Sequence, residues 1–497
     1  MTDPLWVGID LGTQSVRVHA LDDGGSVVAS ASAPLHSMRS GDRHEQDPAE
    51  WWSATRAALR RVTSRLDDAR RIRAVAVSGT SGTIVPVNAT TGRPTGSAVM
   101  YDDRRGVAEL ERVQSAGSAL WERLGYRMQA SWGLPTILAM QAAGAVPAGS
   151  VLAHQPDVIT SRLAGALLPS DLSSALKSGA DLDEVAWPSA VFAELGLDVD
   201  SLNGVVLSGE RIGAVGPGGS AETGLPVGCS IVAGMTDGCA AQIAAGALSA
   251  GSWNSVLGTT LVMKGAVDER RRDDSGAVYA HRAPFGDGWY PGGASSTGAG
   301  ALTSFLPDRD LDALTRRFDP NAPAPIAYPL SGHGERFPFV SPHAVAILPT
   351  GDDDAVFSAV LHGVAAIERM AFDLLIGVGY DISGPVLLTG GGSRNAAWNQ
   401  LRADTLGRPV SLPAHNEGAA GMAMLAAAGH RVAVGELAST RALAAVAERM
   451  TGPRTTVDPD PARHDRLMPS YIALVDELHS RGWVPDALAD RARARAT

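Results

Sequence analysis

Apolar residues come in short runs at the start of the chain. Leu5-Trp6-Val7-Gly8-Ile9 stops at Asp10–Ser15, an apolar stretch resumes over 16–21, and Asp22-Asp23-Gly24-Gly25 turns it into 26–32. Runs this short, bounded by Gly, Asp and Ser, predict strands joined as hairpins. The period then changes. Trp51, Trp52, Ala58, Leu59 and Val62 share one face of a helix over about 48–66, with Asp47 placed as N-cap and Pro48 at the first helical position. Strands are predicted again at 72–78 and 84–88, separated by the turn Gly79–Thr83.

The second half follows the same order of elements. A strand over 252–257, the tight turn Gly258-Thr259-Thr260 and a strand over 261–267 precede a long helix at about 355–377. Then come a strand over 385–389, a glycine turn at 390–392 and a helix from about Ala396. No repeat is visible residue by residue, so the pattern predicts one α/β unit used twice, with a ligand enclosed between the copies. The expected limits are 1–245, 246–430 and a helical tail over 431–497, whose last residues, 491–497, are expected to fray.

Composition narrows the function. The chain has 497 residues, 45% of them hydrophobic, which fits an ordinary globular protein with real cores. A net charge of −11 argues against nucleic acid as a partner, because phosphate backbones need clustered Lys and Arg. The two cysteines, Cys229 and Cys239, have no histidine pair that would make a zinc site, and read as buried reduced thiols. No signal-peptide pattern opens the chain and no run approaches about twenty apolar residues, so a cytoplasmic protein without a membrane partner is expected.

Five segments carry candidate chemistry. The turns Asp10–Ser15 and Gly258–Thr260 can offer amides and hydroxyls to phosphate, with Asp10 near a hydrated cation; each also reads as a plain hairpin turn. Gly390-Gly391-Gly392, between a strand and a helix, lets a nucleotide approach the backbone closely. Neither the P-loop nor the dinucleotide glycine pattern is present. Asp237, at a strand end before a helix of small residues, is placed either to accept a proton from an attacking hydroxyl or to cap that helix. Tyr101-Asp102-Asp103-Arg104-Arg105 reads equally as a fork for vicinal hydroxyls and as a surface ion-pair cluster.

Together these segments resemble the FGGY carbohydrate kinases. The resemblance rests on Gly8–Thr13, Glu45-Gln46-Asp47-Pro48 with Trp51-Trp52, Tyr101-x-Asp103-x-Arg105, Gly234-x-x-Asp237, Gly292-Gly293-Ala294, Thr389–Ser393 and Trp398-x-Gln400-x-Arg402-Ala403-Asp404, in order along nearly the whole chain. It implies an α/β fold of two RNase H-like domains, of the actin-like, hexokinase type, around a central cleft. It implies ATP and Mg²⁺ as cofactors and a small sugar as substrate, and it admits a homodimer. By the same likeness Asp237 is the general base, and Asp10 serves metal and substrate. Gly12, Thr13 and Gln14 with Gly258, Thr259 and Thr260 hold the phosphates, while Gly391, Gly392, Asn395 and Trp398 hold the adenosine. Gly79, Thr80, Ser81, Asp103 and Arg105 are expected near the sugar, beside Asp10 and Asp237.

The turn Ser78–Thr83 lacks the Gln-Met-His-Gly of typical xylulokinases and the Arg-Glu of glycerol kinases. With Ala175-Leu176-Lys177 and Gly334–Pro338 it is similar to D-ribulose kinases of the cyanobacterial and plant type, although Gln14 and Tyr101-Asp102-Asp103 depart from that subgroup. The expected reaction is ATP-dependent phosphorylation of a pentulose at its terminal hydroxyl, D-ribulose ahead of D-xylulose, with a tetritol or another polyol as alternative. A catalytically silent sugar or nucleotide sensor is a further alternative, against which an intact Asp237 speaks. An actin-like ATPase acting on protein partners is disfavoured, since no peptide-binding or filament-forming domain is added.

Overall fold

The computed structural model describes residues 3–496. They form two compact units. The first comprises the chain up to Gly246, His281–Trp289 and Glu417–Gly452; the second comprises Ala247–Ala280, Tyr290–Asn416 and the chain from Pro453. The expected limits, 245 and 430, follow the linear order of the chain, whereas by contact the chain returns to the first unit over Glu417–Gly452. The cause is a helix of small residues, Gly418–Ala433, that lies flat on the strand Leu5–Leu11. A β-carbon on Gly8 would fall 1.8 Å from the Ala419 carbonyl oxygen, and one on Gly421 2.1 Å from that of Ala240. Only glycine permits backbones to meet this closely.

Both central sheets have the same plan. In the first unit the strands stand in the order Val27–Pro34, Ser15–Leu21, Leu5–Leu11, Ile72–Gly79, Ser230–Val232, Arg211–Ala214. The first three pair antiparallel, the next two join in parallel, and the last closes antiparallel. In the second unit Trp289–Ala294, Leu261–Gly265, Trp253–Leu257, Val386–Thr389, Val410–Pro413 and Arg454–Val457 repeat that order and those directions. The doubled unit inferred from the hydrophobic pattern is thus present in six strands of each sheet, and the second sheet adds a seventh, Tyr279–Arg282, at its edge. In such sheets ligands gather at the carboxyl ends of the parallel strands, which here lead into Gly12–Gln14, Gly79–Thr83, Gly258–Thr260 and Gly390–Gly392.

Local signals were dependable. The helix Pro48–Thr63 begins where expected, with Asp47 accepting a hydrogen bond from the Ala49 amide at 2.9 Å and Trp51, Trp52, Ala58, Leu59 and Val62 buried. Asp352 caps the long helix Asp353–Val378 in the same way. Each unit has its own apolar core, one around Val7, Ile9, Trp51 and Val75, the other around Trp253, Phe357, Leu388 and Trp398.

Other elements were not foreseen. A second sheet in the first unit joins Ile84–Asn88 to Met38–Ser40, Arg43–Gln46, Ala98–Val99 and Ser150–His154. The expected helical tail contains the strand Arg454–Val457, and its end is not frayed over 491–496; Thr497 lies outside the described residues. The helix Asp486–Ala496 buries Leu488, Ala489 and Ala492, and Arg495 pairs with the buried Asp373. Neither cysteine is in a disulfide, both are buried, and burial pushes the Cys229 thiol up to about 12.

Candidate active site

In the first unit, Asp10 and Ser78 stand opposite each other on parallel strands, and Ser78 Oγ donates to Asp10 Oδ1 at 2.9 Å. Burial raises the Asp10 carboxyl to about 6. The charges of Asp237 and Glu417 push the same way, while the Ser78 bond and Arg17, 3.8 Å away, oppose them. Asp237 is exposed and is the first residue of the helix Asp237–Ala245; the cap position belongs to Thr236. Its Oδ1 accepts from the Gly238 amide at 2.8 Å. The turn that carries it is fixed by a parallel bridge between Gly79 and Thr236, and by the Thr236 amide donating to Ser173 Oγ at 3.2 Å. Ser173 Oγ also lies 3.0 Å from His281 Nδ1.

Asp10, Asp237 and Glu417 thus act on one another at one strand end, with Arg17 beside Asp10 and His19 3.0 Å from Glu417, and a concentration of acids is an electrostatic setting that a divalent cation relieves. Among the described residues no three His, Cys, Asp or Glu side chains stand close enough to hold a metal directly. The residues present fit a largely hydrated ion held through Asp10, as Mg²⁺ prefers.

The turns expected to hold phosphate are braced through their carbonyls in both units. Gly12 N–H closes its turn on Ser15 O at 3.1 Å, the Gln46 side chain donates to Thr13 O at 2.7 Å, and Leu35 N–H donates to Gln14 O at 2.9 Å. In the second unit Gly258 N–H closes on Thr260 O at 3.1 Å, while the Ala299 and Gly300 amides take the carbonyls of Gly258 and Thr259 at 2.9 and 3.1 Å. Thr13 and Thr260 are half-buried, Gln14 and Thr259 exposed. Of the expected adenosine residues, Gly391 is open, with nothing within 4 Å of a β-carbon built on it. Gly392 is buried in the same turn. Asn395 caps the helix Ala396–Leu406 and donates to Thr315 Oγ1 at 3.0 Å. Trp398 is placed otherwise than expected. It is 1% exposed and its Nε1 donates to Leu361 O, so the ring belongs to the core beneath the turn.

At the expected sugar turn the structure separates the residues. Thr80 is buried, and its amide and hydroxyl both donate to Gln155 Oε1 at 2.8 Å. Gly79 packs on Pro156 and Gln155. Ser81 is half-buried, and its carbonyl accepts from Lys177 Nζ at 3.2 Å. Asp103 is also a correction. It is fully buried, with its oxygens taken by the His44 amide at 2.8 Å, the Arg105 amide at 2.9 Å and the Arg105 guanidinium at 2.8 Å. Burial would raise its carboxyl, but Arg105 outweighs this and holds it below the usual range. Asp103 therefore orients Arg105, which also donates to Glu45 at 2.6 Å, and it is the one buried member of a cluster whose Arg104 is exposed and whose Asp102 pairs with the exposed Arg39. Gln155 was missed. It sits 75 positions from Thr80 in the chain, and no local pattern marks it.

The sequence models of the FGGY family of carbohydrate kinases match residues 5–244 (N-terminal domain) and 254–430 (C-terminal domain). A xylulose kinase from Streptomyces coelicolor is 32% identical over 435 residues, covering 83% of this chain and 85% of that protein. A D-ribulokinase from Saccharomyces cerevisiae is 21% identical over 512 residues, covering 85% and 71%. The crystal structure of a xylulose kinase from Brucella ovis superposes with a TM-score of 0.85 at 21% identity, over 96% of this chain and 99% of that one. The chain belongs to the FGGY family of carbohydrate kinases, ATP-dependent phosphotransferases with an actin-like fold of two α/β domains.

Proposed function

We propose that this kinase phosphorylates the terminal hydroxyl of a pentulose, with D-xylulose as the leading substrate. The observation that carries the choice of sugar is the 32% identity to a xylulose kinase over most of both chains. This reverses the order expected from the turn Ser78–Thr83 together with Ala175-Leu176-Lys177 and Gly334–Pro338. Asp237, exposed at the carboxyl end of the parallel strands, takes the proton of the attacking hydroxyl. Thr13 and Gln14, and Thr259 and Thr260, offer amides and hydroxyls to phosphate oxygens, from turns that Gly12 and Gly258 close with their own amides and whose carbonyls are already held. Gly391, Gly392 and Asn395 form the open glycine turn for adenosine, and Arg105 and Ser81 face sugar hydroxyls. Asp10, at the carboxyl end of its strand, would hold a hydrated Mg²⁺. When bound, this ion neutralises and orients the phosphates. Positioning and fixed dipoles supply most of the rate in such a transfer.

A second reading, D-ribulose, is favoured by one specific feature. The Thr80–Gln155–Thr83 arrangement replaces the Gln-Met-His-Gly turn of typical xylulokinases, and a D-ribulokinase is among the relatives. ADP release measured over a panel of D-xylulose, D-ribulose, tetritols and other polyols, with Asp237→Ala beside the wild type, separates the two. Turnover highest on D-xylulose and lost in the variant supports the leading reading, and turnover highest on D-ribulose the second. No sugar-dependent turnover at all leaves a silent sensor.

A further inference from the structure

We propose that Glu335 is a positioning residue for nucleotide. It fixes the loop 295–300 and, through it, the turn Gly258–Thr260, without touching the phosphates itself. The inference rests on the reading of that turn as a phosphate site.

Glu335 is 3% exposed and its carboxylate is fully engaged. Ser295 Oγ and Tyr328 Oη each donate to Oε2 at 2.8 Å, and the Ser296 and Arg336 amides donate to Oε1 at 2.6 and 3.0 Å. Its backbone is pinned by a reciprocal pair of hydrogen bonds with Ser341, at 2.8 and 2.9 Å. A buried carboxylate is stable only with such donors, and its removal leaves them unsatisfied. Ser295 Oγ in turn accepts from the Thr297 amide at 3.0 Å, so one carboxylate sets three consecutive residues of the loop.

The loop is the wall against which the hairpin rests. Ser295 N–H donates to Leu261 O at 2.9 Å, and Leu261 N–H to Thr297 O at 2.7 Å. The amides of Ala299 and Gly300 then take the carbonyls of Gly258 and Thr259. With these carbonyls turned into the loop, the turn has its remaining donors for a ligand. The fit has no slack, since a β-carbon on Gly298 would fall 2.6 Å from Thr259 O and from Thr260 Cα. A loop released at Ser295–Ser296 therefore moves the turn with it.

The test compares steady-state kinetics of Glu335→Ala, Glu335→Gln, Ser295→Ala and the pair Thr259→Ala/Thr260→Ala, with a thermal melt of each. The expected result for Glu335→Ala is a rise in KM for Mg-ATP of about tenfold with KM for the pentulose unchanged. Glu335→Gln, which keeps an acceptor for the Ser296 amide, should recover most of that loss. Ser295→Ala should show a smaller effect of the same kind, and it serves alone if Glu335→Ala does not fold. A lower melting temperature with unchanged KM for Mg-ATP overturns the inference and leaves Glu335 a core residue. If the Thr259/Thr260 variant also leaves KM for Mg-ATP unchanged, the phosphate reading of the turn fails and the inference with it. If that variant raises KM and the Glu335 and Ser295 variants do not, only the positioning role fails.

Discussion

Ser78 Oγ donates to Asp10 Oδ1 across two parallel strands, and this hydrogen bond is the largest influence that favours the ionised form of Asp10. Burial and the neighbouring acids act against it and raise the carboxyl to about 6. Asp10 is thus ionised above that pH and protonated below it. A protonated Asp10 cannot hold a cation, so kcat/KM for Mg-ATP should fall as pH drops through about 6. Ser78→Ala removes the favourable bond and should move that fall to higher pH. The check is a pH–rate profile at fixed free Mg²⁺; an acid limb unmoved by the substitution would remove Asp10 from the metal role.

Asp237 offers a second test. It is exposed and its Oδ1 accepts from the adjacent Gly238 amide, a bond that an asparagine keeps. Asp237→Asn should therefore melt close to the wild type while kcat falls by about a hundredfold or more. Retained kcat would show that another group takes the proton.

What the sequence disclosed follows from how local each signal is. The Asp47 cap, the Leu5–Leu21 hairpin and the glycine turn at 390–392 depend on neighbouring residues, and they stand where the pattern puts them. Trp398 and Asp103 carry the right residue types for ligand contact, but burial decides their use, and burial is set by distant segments such as the Leu361 carbonyl and the His44 amide. Gln155 and the return of Gly418–Ala433 to the first unit are tertiary events with no local signature.

Gln155 is accordingly a sharp probe of the sugar turn. Its oxygen is the acceptor for both the amide and the hydroxyl of Thr80. Gln155→Leu strands a buried N–H, at a cost of about 1–3 kcal/mol, and loosens Gly79–Thr83. The expected kinetic outcome is a higher KM for the pentulose and a changed ratio of D-xylulose to D-ribulose turnover, with KM for Mg-ATP little altered. Equal changes toward sugar and nucleotide would show that the turn has no special relation to the sugar.

Gly8 tests the packing behind the strand that carries Asp10. It lies on that strand, under the helix Gly418–Ala433. A methyl group there would meet the Ala419 oxygen at 1.8 Å and the Ala423 nitrogen at 2.4 Å, both backbone atoms that cannot swing aside. Gly8→Ala must therefore push the helix away, at a cost of about 1–3 kcal/mol or more. Gly218 is the matched control, since it lies in the helix Pro217–Thr223 with nothing within 4 Å of a β-carbon. There Gly→Ala should be neutral or stabilising by about 0.4–1 kcal/mol, because alanine lowers the entropy of the unfolded chain. Urea denaturation of both variants decides the point. A Gly8→Ala protein as stable as Gly218→Ala would mean that the helix can lift from the strand without loss, and that the strand carrying Asp10 does not depend on its support.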